Sequence, residues 1–355
     1  MVDDERLRLL LPRILGFAAI SAAIGAVYGY QVSVVDGAGL HGAIRGALAG
    51  ALIGAGVPSL IAFVLQARLA RAPFVVAVAV RSLAYLVIFL AAIAIAQLLV
   101  PNHRPQPPVS ISRNDILFCF GVTFVLGFLL EVNSLLGQNV LLSFVTGSYH
   151  RPRVETRVFL IIDMKNSTAT AERLGEVDFH RLLNRLVTDL SGPIVLRGGE
   201  IHKYVGDELI ATWSLARGVR DAACVRACFA ALDRLVASRA DYEREFGAAV
   251  QVRAGLHCGP VVVGEMGSVK KKIALLGDAL NTAARLVDAC RERGETVIAS
   301  ADLLDRLMLP AGVTMRSLGE VRLRGKQQAI GLCVLAQAMP AARAVSASPA
   351  PGLAD

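Results

Sequence analysis

Two aspartates, Asp163 and Asp207, each stand at the end of a short apolar run. Asp163 closes Val158-Phe159-Leu160-Ile161-Ile162. Asp207 sits at a Gly-Asp tip between Glu200-Ile201-His202-Lys203-Tyr204-Val205 and Glu208-Leu209-Ile210-Ala211, with Gly198-Gly199 just before it. Apolar alternation on both sides of such a tip reads as two strands joined by a tight turn. If the two strand ends are neighbours, their carboxylates form a hard oxygen site suited to Mg2+ carrying a nucleoside triphosphate. Singly, each aspartate is an ordinary turn former; a pair flanking matched apolar strands is harder to explain that way. A further pair, Asn281 and Arg285, is spaced by one helical turn and so shares a face.

The elements that would position these residues alternate between strand and helix patterns. After the strand at Val158, apolar residues from Leu174 to Leu190 fall on helical spacing, predicting a helix over about 169–190. The hairpin follows, then a helix over about 218–246. Strands are expected at 250–257, 260–265 and 273–276, with a helix at 279–291. A strand at 297–299, a short helix to Met308 and a final strand pair near 313–318 and 330–336 complete a reading as α+β, with helices on one face of a mainly antiparallel sheet. The tail, 338–355, is rich in Ala and Pro and is expected to be disordered.

The first 147 residues are of another kind. The 355-residue chain is 54% hydrophobic, and its apolar excess is concentrated before about position 146. Crossing a bilayer takes on the order of twenty residues, and Ile14 to Tyr30, Gly46 to Gln66, Ser82 to Val100 and Ile116 to Leu136 are four candidate transmembrane helices. The N-terminus lacks the features of a cleaved signal peptide, so the first span is read as retained. Arginines before the first span, between the second and third and after the fourth place both termini in the cytoplasm of a multi-pass inner-membrane protein. The organisation expected is therefore a cytoplasmic N-terminus (1–13), a four-span domain (14–147), a connector (148–157) stopped by Pro152, and a soluble domain (158–337). Gly42, Gly46, Gly50 and Gly54 form a stripe that permits close helix approach, within the bundle or across a dimer. Glu131, Asn133, Arg45 and Arg81 are polar exceptions, equally readable as functional groups or as snorkelling arginines with one ion pair.

Charge and cysteines narrow the function. A net charge of +8 comes without an interleaved basic and aromatic face or Cys/His finger spacing, which argues against nucleic acid. Juxtamembrane arginines and a site for a polyanionic nucleotide account for it. The six cysteines form no disulfide framework. A metal set of Cys224, Cys228, His257 and Cys258 is possible, and buried reduced thiols are the simpler reading.

Tyr204-Val205-Gly206-Asp207-Glu208 and Leu276-Gly277-Asp278-Ala279-Leu280-Asn281-Thr282-Ala283-Ala284-Arg285, in that order after the strand ending at Asp163, resemble the catalytic domain of class III nucleotidyl cyclases. The resemblance covers about half the chain. It implies an α+β domain with a ferredoxin-like core and a reaction in which the ribose 3'-hydroxyl attacks the α-phosphorus of the same nucleotide. By resemblance, Asp163 and Asp207 would hold two metal ions, Mg2+ or Mn2+. Asn281 would orient the ribose, and Arg285 would stabilise charge on the α-phosphate. Arg253 and Lys326 match polyphosphate-binding positions, and Asn166-Ser167-Thr168 would offer amides to the phosphates. Asn166 stands where many members carry glycine. Lys203 is the residue of adenine-selective members, while Ala274 replaces its usual threonine or aspartate partner. Family sites are shared between subunits, which implies a homodimer. The reading is a membrane-anchored adenylate cyclase making cyclic AMP and pyrophosphate from ATP. A guanylate or relaxed-specificity cyclase and a nucleotide-binding membrane receptor without turnover stand as alternatives.

Overall fold

The computed structural model describes residues 2–34, 37–61, 72–101, 148–269, 272–323 and 328–337, with single positions at 117, 124, 128 and 132. The chain divides into two compact units, Met1–Leu141 and Leu142–Asp355.

The first unit contains α1 (Val2–Val34), α2 (Gly39–Leu60) and α3 (Phe74–Leu99), three helices long and apolar enough to cross a membrane. Exposed Leu15, Phe17, Ile20, Ile24 and Val27 along α1 suit a lipid-facing surface. The second and third spans begin earlier than the sequence suggests. Arg45 and Arg81, taken there as lying at or inside span edges, both fall within continuous helices. The fourth expected span, with Glu131 and Asn133, lies largely outside the described residues, as does the expected disordered tail after Gln337.

The glycine stripe on α2 packs within the unit, against α1. A Cβ at Gly46 would run into the Gly25 carbonyl, one at Gly42 into that of Gly29, and one at Gly54 would lie 2.7 Å from the Phe17 carbonyl oxygen. Small residues on both helices thus bring the two backbones together. Gly46→Ile should force the helices apart and destabilise the unit by about 1–3 kcal/mol. Gly16→Ile, at a position with nothing within 4 Å, should change little. Thermal unfolding of the two full-length variants in detergent checks the contrast.

The second unit is built on a sheet that, among the described residues, has eight strands. Its first half is a βαββαβ arrangement. β1 (Arg153–Met164) leads through α4 (Ser167–Leu174) and α5 (Glu176–Leu196) to the hairpin of β2 (Glu200–Val205) and β3 (Glu208–Ser214). Helices α6 (Leu215–Val219), α7 (Ala223–Ala237) and α8 (Arg239–Phe246) then return the chain to β4 (Val252–Met266). The order β2-β3-β1-β4 is that of a ferredoxin-like core. Beyond it come β5 (Lys272–Leu276), α9 (Asp278–Arg293), β6 (Val297–Ser300), α10 (Ala301–Leu304) and the antiparallel pair β7 (Val313–Val321) and β8 (Ile330–Gln337). Since β6 runs parallel to β4, the sheet is mixed.

β1 is buried on both faces. Val158, Leu160, Ile162 and Met164 join Leu182, Leu186, Leu190 and Ile194 of α5 and the apolar side of α7 in the main core. Phe159 and Ile161 point the other way, into a second core with Ile210, Val261, Val263 and Ala279, Ala283 and Val287 of α9. By strand alternation Asp163 continues that second face, toward α9.

Several expected elements divide or merge. The helix expected over 169–190 breaks at Gly175, whose φ of 77° a helix does not allow. The one expected over 218–246 becomes α6, a 3-10 turn, α7 and α8, interrupted where Asp221 and Ala222 take φ of 50°. Apolar spacing persists across these breaks because successive pieces pack on the same sheet. Conversely, the two strands expected at 250–257 and 260–265 are one. Pro260 falls between the stretch of β4 paired to β6 and the stretch paired to β5, where β4 has β1 as a neighbour on one side only. A residue without an N–H is tolerated there. β1 also starts at Arg153, inside the segment expected to be a connector.

Candidate active site

The β2–β3 turn is as tight as the sequence suggests: Val205 pairs with Glu208, leaving Gly206 and Asp207 as the loop. Gly206 takes the left-handed φ of 60° and Asp207 does not, so a side chain can be carried at the tip without strain.

Next to that tip, three residues lie in register across the sheet: Glu208 on β3, Asp163 on β1 and Arg253 on β4. Asp163 is only 8% exposed. Burial, and then the negative charge of Asp207, push its carboxyl above the usual aspartate range, against the pull of Arg291 and Arg253. Glu208 is pushed up as well, by burial first and Asp163 second, with Lys203 opposing. A buried carboxylate with a second carboxylate close by, in a half-dry corner, favours an added cation. Among the described residues no group of three or more His, Cys, Asp or Glu could hold a metal unaided. Two carboxylates with the remaining positions left to phosphate and water is how Mg2+ and Mn2+ are ordinarily held in nucleotide sites, so the donor set fits that class of ion.

Arg253 reaches the same corner, with Nη1 3.7 Å from Asp163 Oδ2. Asn281 and Arg285 are on α9 as expected. The helix turns Ala279, Thr282, Ala283, Leu286 and Val287 inward, which leaves Asn281 exposed and Arg285 half-exposed on the outer face. Among the described residues Arg285 makes no ion pair.

Asn166 caps α4 in the left-handed region, φ 56° and ψ 35°. Glycine suits that conformation best, and asparagine is among the side chains that tolerate it. Ser167 and Thr168 form the first turn of α4. Lys203 is exposed on β2, and Ala274 is buried on β5 opposite Gly264 of β4. Lys326 lies outside the described residues.

Residues that sequence reasoning missed are Glu208, quoted only as part of a motif, Arg291, quoted only as a helix end, and His202. Burial, with the positive charges of Lys203, Arg157 and Lys272, lowers His202 from 6.5 to about 4. The unfolded chain therefore takes up this proton first. Stability is full above about 6.5 and falls as the pH drops toward 4, by on the order of 2 kcal/mol after allowing for partial exposure. His202→Gln should flatten that slope. The single tryptophan, fully buried Trp213, reports on this unit in denaturant titrations of the full-length chain.

The cysteine set has the simpler explanation. All five described cysteines are buried and free, and burial pushes Cys224 and Cys290 up to about 12. His257 Nδ1 lies 2.8 Å from Ser300 Oγ.

With this geometry in view, the chain compares as follows. The family model described as the adenylate and guanylate cyclase catalytic domain matches residues 151–336. "Adenylate cyclase 2" of Rhizobium meliloti (strain 1021) is 39% identical over 224 residues, 63% of this chain and 62% of that protein. "Adenylate cyclase" of Anabaena cylindrica is 27% identical over 178 residues, 49% of this chain and 35% of that protein. The chain thus spans less than two thirds of the length of either relative. Among solved structures, a bacterial light-regulated adenylyl cyclase superposes with a TM-score of 0.52 at 21% identity, covering 65% of this chain and 67% of that one, and shares the fold. The matched segment begins just before β1, ends with β8 and contains both aspartates, Arg253 and the α9 pair, and by that match the chain belongs to the family of adenylate and guanylate cyclase catalytic domains.

Proposed function

We propose that the chain is a membrane-anchored adenylate cyclase, converting ATP to 3',5'-cyclic AMP and pyrophosphate at sites shared between two copies. The observation that carries this reading is the strand register that sets buried Asp163 opposite Glu208, the residue after Asp207, on one side and Arg253 on the other. In the reaction the ribose 3'-oxygen bonds to the α-phosphorus as the bond to the β-phosphate oxygen breaks. Divalent ions, Mg2+ or Mn2+, would supply charge neutralisation and a more acidic hydroxyl. Asp163 and Asp207 would hold them. Arg253 would lie along the polyphosphate with Lys326, and the α4 amides from Asn166 to Thr168 would add donors.

Asn281 and Arg285 would orient the ribose and meet charge on the α-phosphate. Their outward placement on α9, with no ion pair to Arg285 among the described residues, supports a homodimer in which each copy serves its twin's carboxylates. Lys203 supports adenine, as does the name of the 39% identical relative. Three membrane-length helices support an anchor, and the arginine distribution supports a multi-pass inner-membrane protein with a cytoplasmic catalytic domain.

A second reading, a guanylate or relaxed-specificity cyclase, is favoured by Ala274, which has no acceptor for the adenine amino group. Incubating the full-length protein with ATP or GTP plus Mn2+, and identifying products by mass, tests all of these. Cyclic AMP in excess supports the proposal. Cyclic GMP in excess, or the two cyclic products in similar amounts, selects the second reading, and bound nucleotide without either product leaves a receptor.

A further inference from the structure

Asp163 is already held by cations. Arg291 reaches from the last turn of α9, placing Nη2 3.3 Å from Asp163 Oδ2, the same oxygen that Arg253 approaches at 3.7 Å. The two arginines are held differently. Arg253 is 14% exposed in its side chain and is fixed opposite Asp163 by strand register. Arg291 is 59% exposed and has a second carboxylate within reach, Asp288 Oδ1 at 3.8 Å on its own helix.

A hard cation takes carboxylate oxygen at about 2.0–2.1 Å with little tolerance in direction, and two cations converging on one oxygen repel. A metal ion on Oδ2 therefore competes with the guanidinium nearest that oxygen, and the more exposed Arg291 is the one free to yield. We infer that Arg291 is a displaceable counter-cation of Asp163, which occupies the carboxylate before metal binds and transfers to Asp288 when metal arrives. Arg253, buried and held by the sheet, stays. The exchange keeps a half-dry carboxylate from standing bare beside Asp207, and it sets the metal concentration at which the site fills. Arg291 is thus a positioning residue, acting through Asp163. The inference rests on the reading of Asp163 as a metal ligand.

Mn2+ binding to the full-length protein without nucleotide, followed by the paramagnetic resonance of the free ion, tests it without any turnover. Arg291→Ala should tighten Mn2+ binding by about fivefold, the lower end of ordinary coupling because the guanidinium is partly screened by solvent. Arg291→Lys, which keeps a cation, should stay near the parent. In an Asp163→Asn background, where binding is weakened, Arg291→Ala should make no further difference. Unchanged or weaker Mn2+ binding by Arg291→Ala, with the Trp213 unfolding transition intact, overturns the inference. If Asp163→Asn weakens binding and Arg291→Ala does not tighten it, only the role of Arg291 is lost. If Asp163→Asn leaves binding unchanged, the metal assignment falls and this inference with it.

Discussion

Co-expressed full-length Asp207→Ala and Arg285→Ala chains should make cyclic nucleotide where neither variant does so alone. Asp207 stands at a turn tip whose strain is taken by Gly206, so its removal should leave the hairpin in place. Without it one of the two proposed metal carboxylates is gone, and turnover should fall on the order of a thousandfold. Arg285→Ala removes a half-exposed side chain with no ion pair among the described residues, so the fold should persist and the loss should fall on catalysis. In a mixed dimer the Arg285→Ala chain supplies intact carboxylates and the Asp207→Ala chain supplies an intact Arg285. One of the two sites is then whole. With random pairing, recovery should be about a quarter of the parent activity. Mixed dimers captured by two different affinity tags and found inactive would rule out sites shared in this way.

How much of this was legible in the sequence follows from how each signal is made. The run from Val158 to Asp163 reads clearly because both faces of β1 are buried there, giving an unbroken apolar stretch. The hairpin reads clearly because a two-residue turn needs glycine at a fixed place. Local signals fail where partners decide. Pro260 looks like a strand end, and only the gap beside β4 makes it tolerable. Gly175 interrupts a helical pattern whose apolar spacing continues on the far side. Arg45 and Arg81 look like span edges, and both helices run through them.

The same division runs through the site. Asp163, Asp207, Asn281 and Arg285 fall in recognisable blocks. Arg291 does not: a basic residue in the last turn of a helix is ordinary electrostatics, and nothing in the sequence links it to an aspartate 128 positions earlier. Glu208 is similar, since its raised carboxyl comes from burial and from a neighbour on another strand.

Lys203→Glu should turn the base preference, lowering the ratio of kcat/KM for ATP over GTP by roughly a hundredfold. The adenine edge offers a ring nitrogen that accepts and an amino group that donates; the guanine edge offers an oxygen that accepts and two groups that donate. A lysine can only donate, so at the proposed purine site Lys203 would serve the adenine nitrogen and also tolerate the guanine oxygen. Ala274, buried on β5, adds no acceptor that would reject guanine, and the parent preference for ATP should therefore be modest. Glutamate at 203 accepts from the guanine donors and faces the adenine nitrogen lone pair, leaving a polar group unmatched only with ATP. Position 203 is exposed, so the fold should not register the change, although the new negative charge should push Glu208 further up. Lys203→Gln separates charge from hydrogen bonding and should fall between the two. Ala274→Thr should act in the opposite direction, supplying the missing acceptor and sharpening the preference for ATP. A selectivity ratio that is indifferent to all three substitutions, in protein that retains its turnover, would place the purine elsewhere than between β2 and β5.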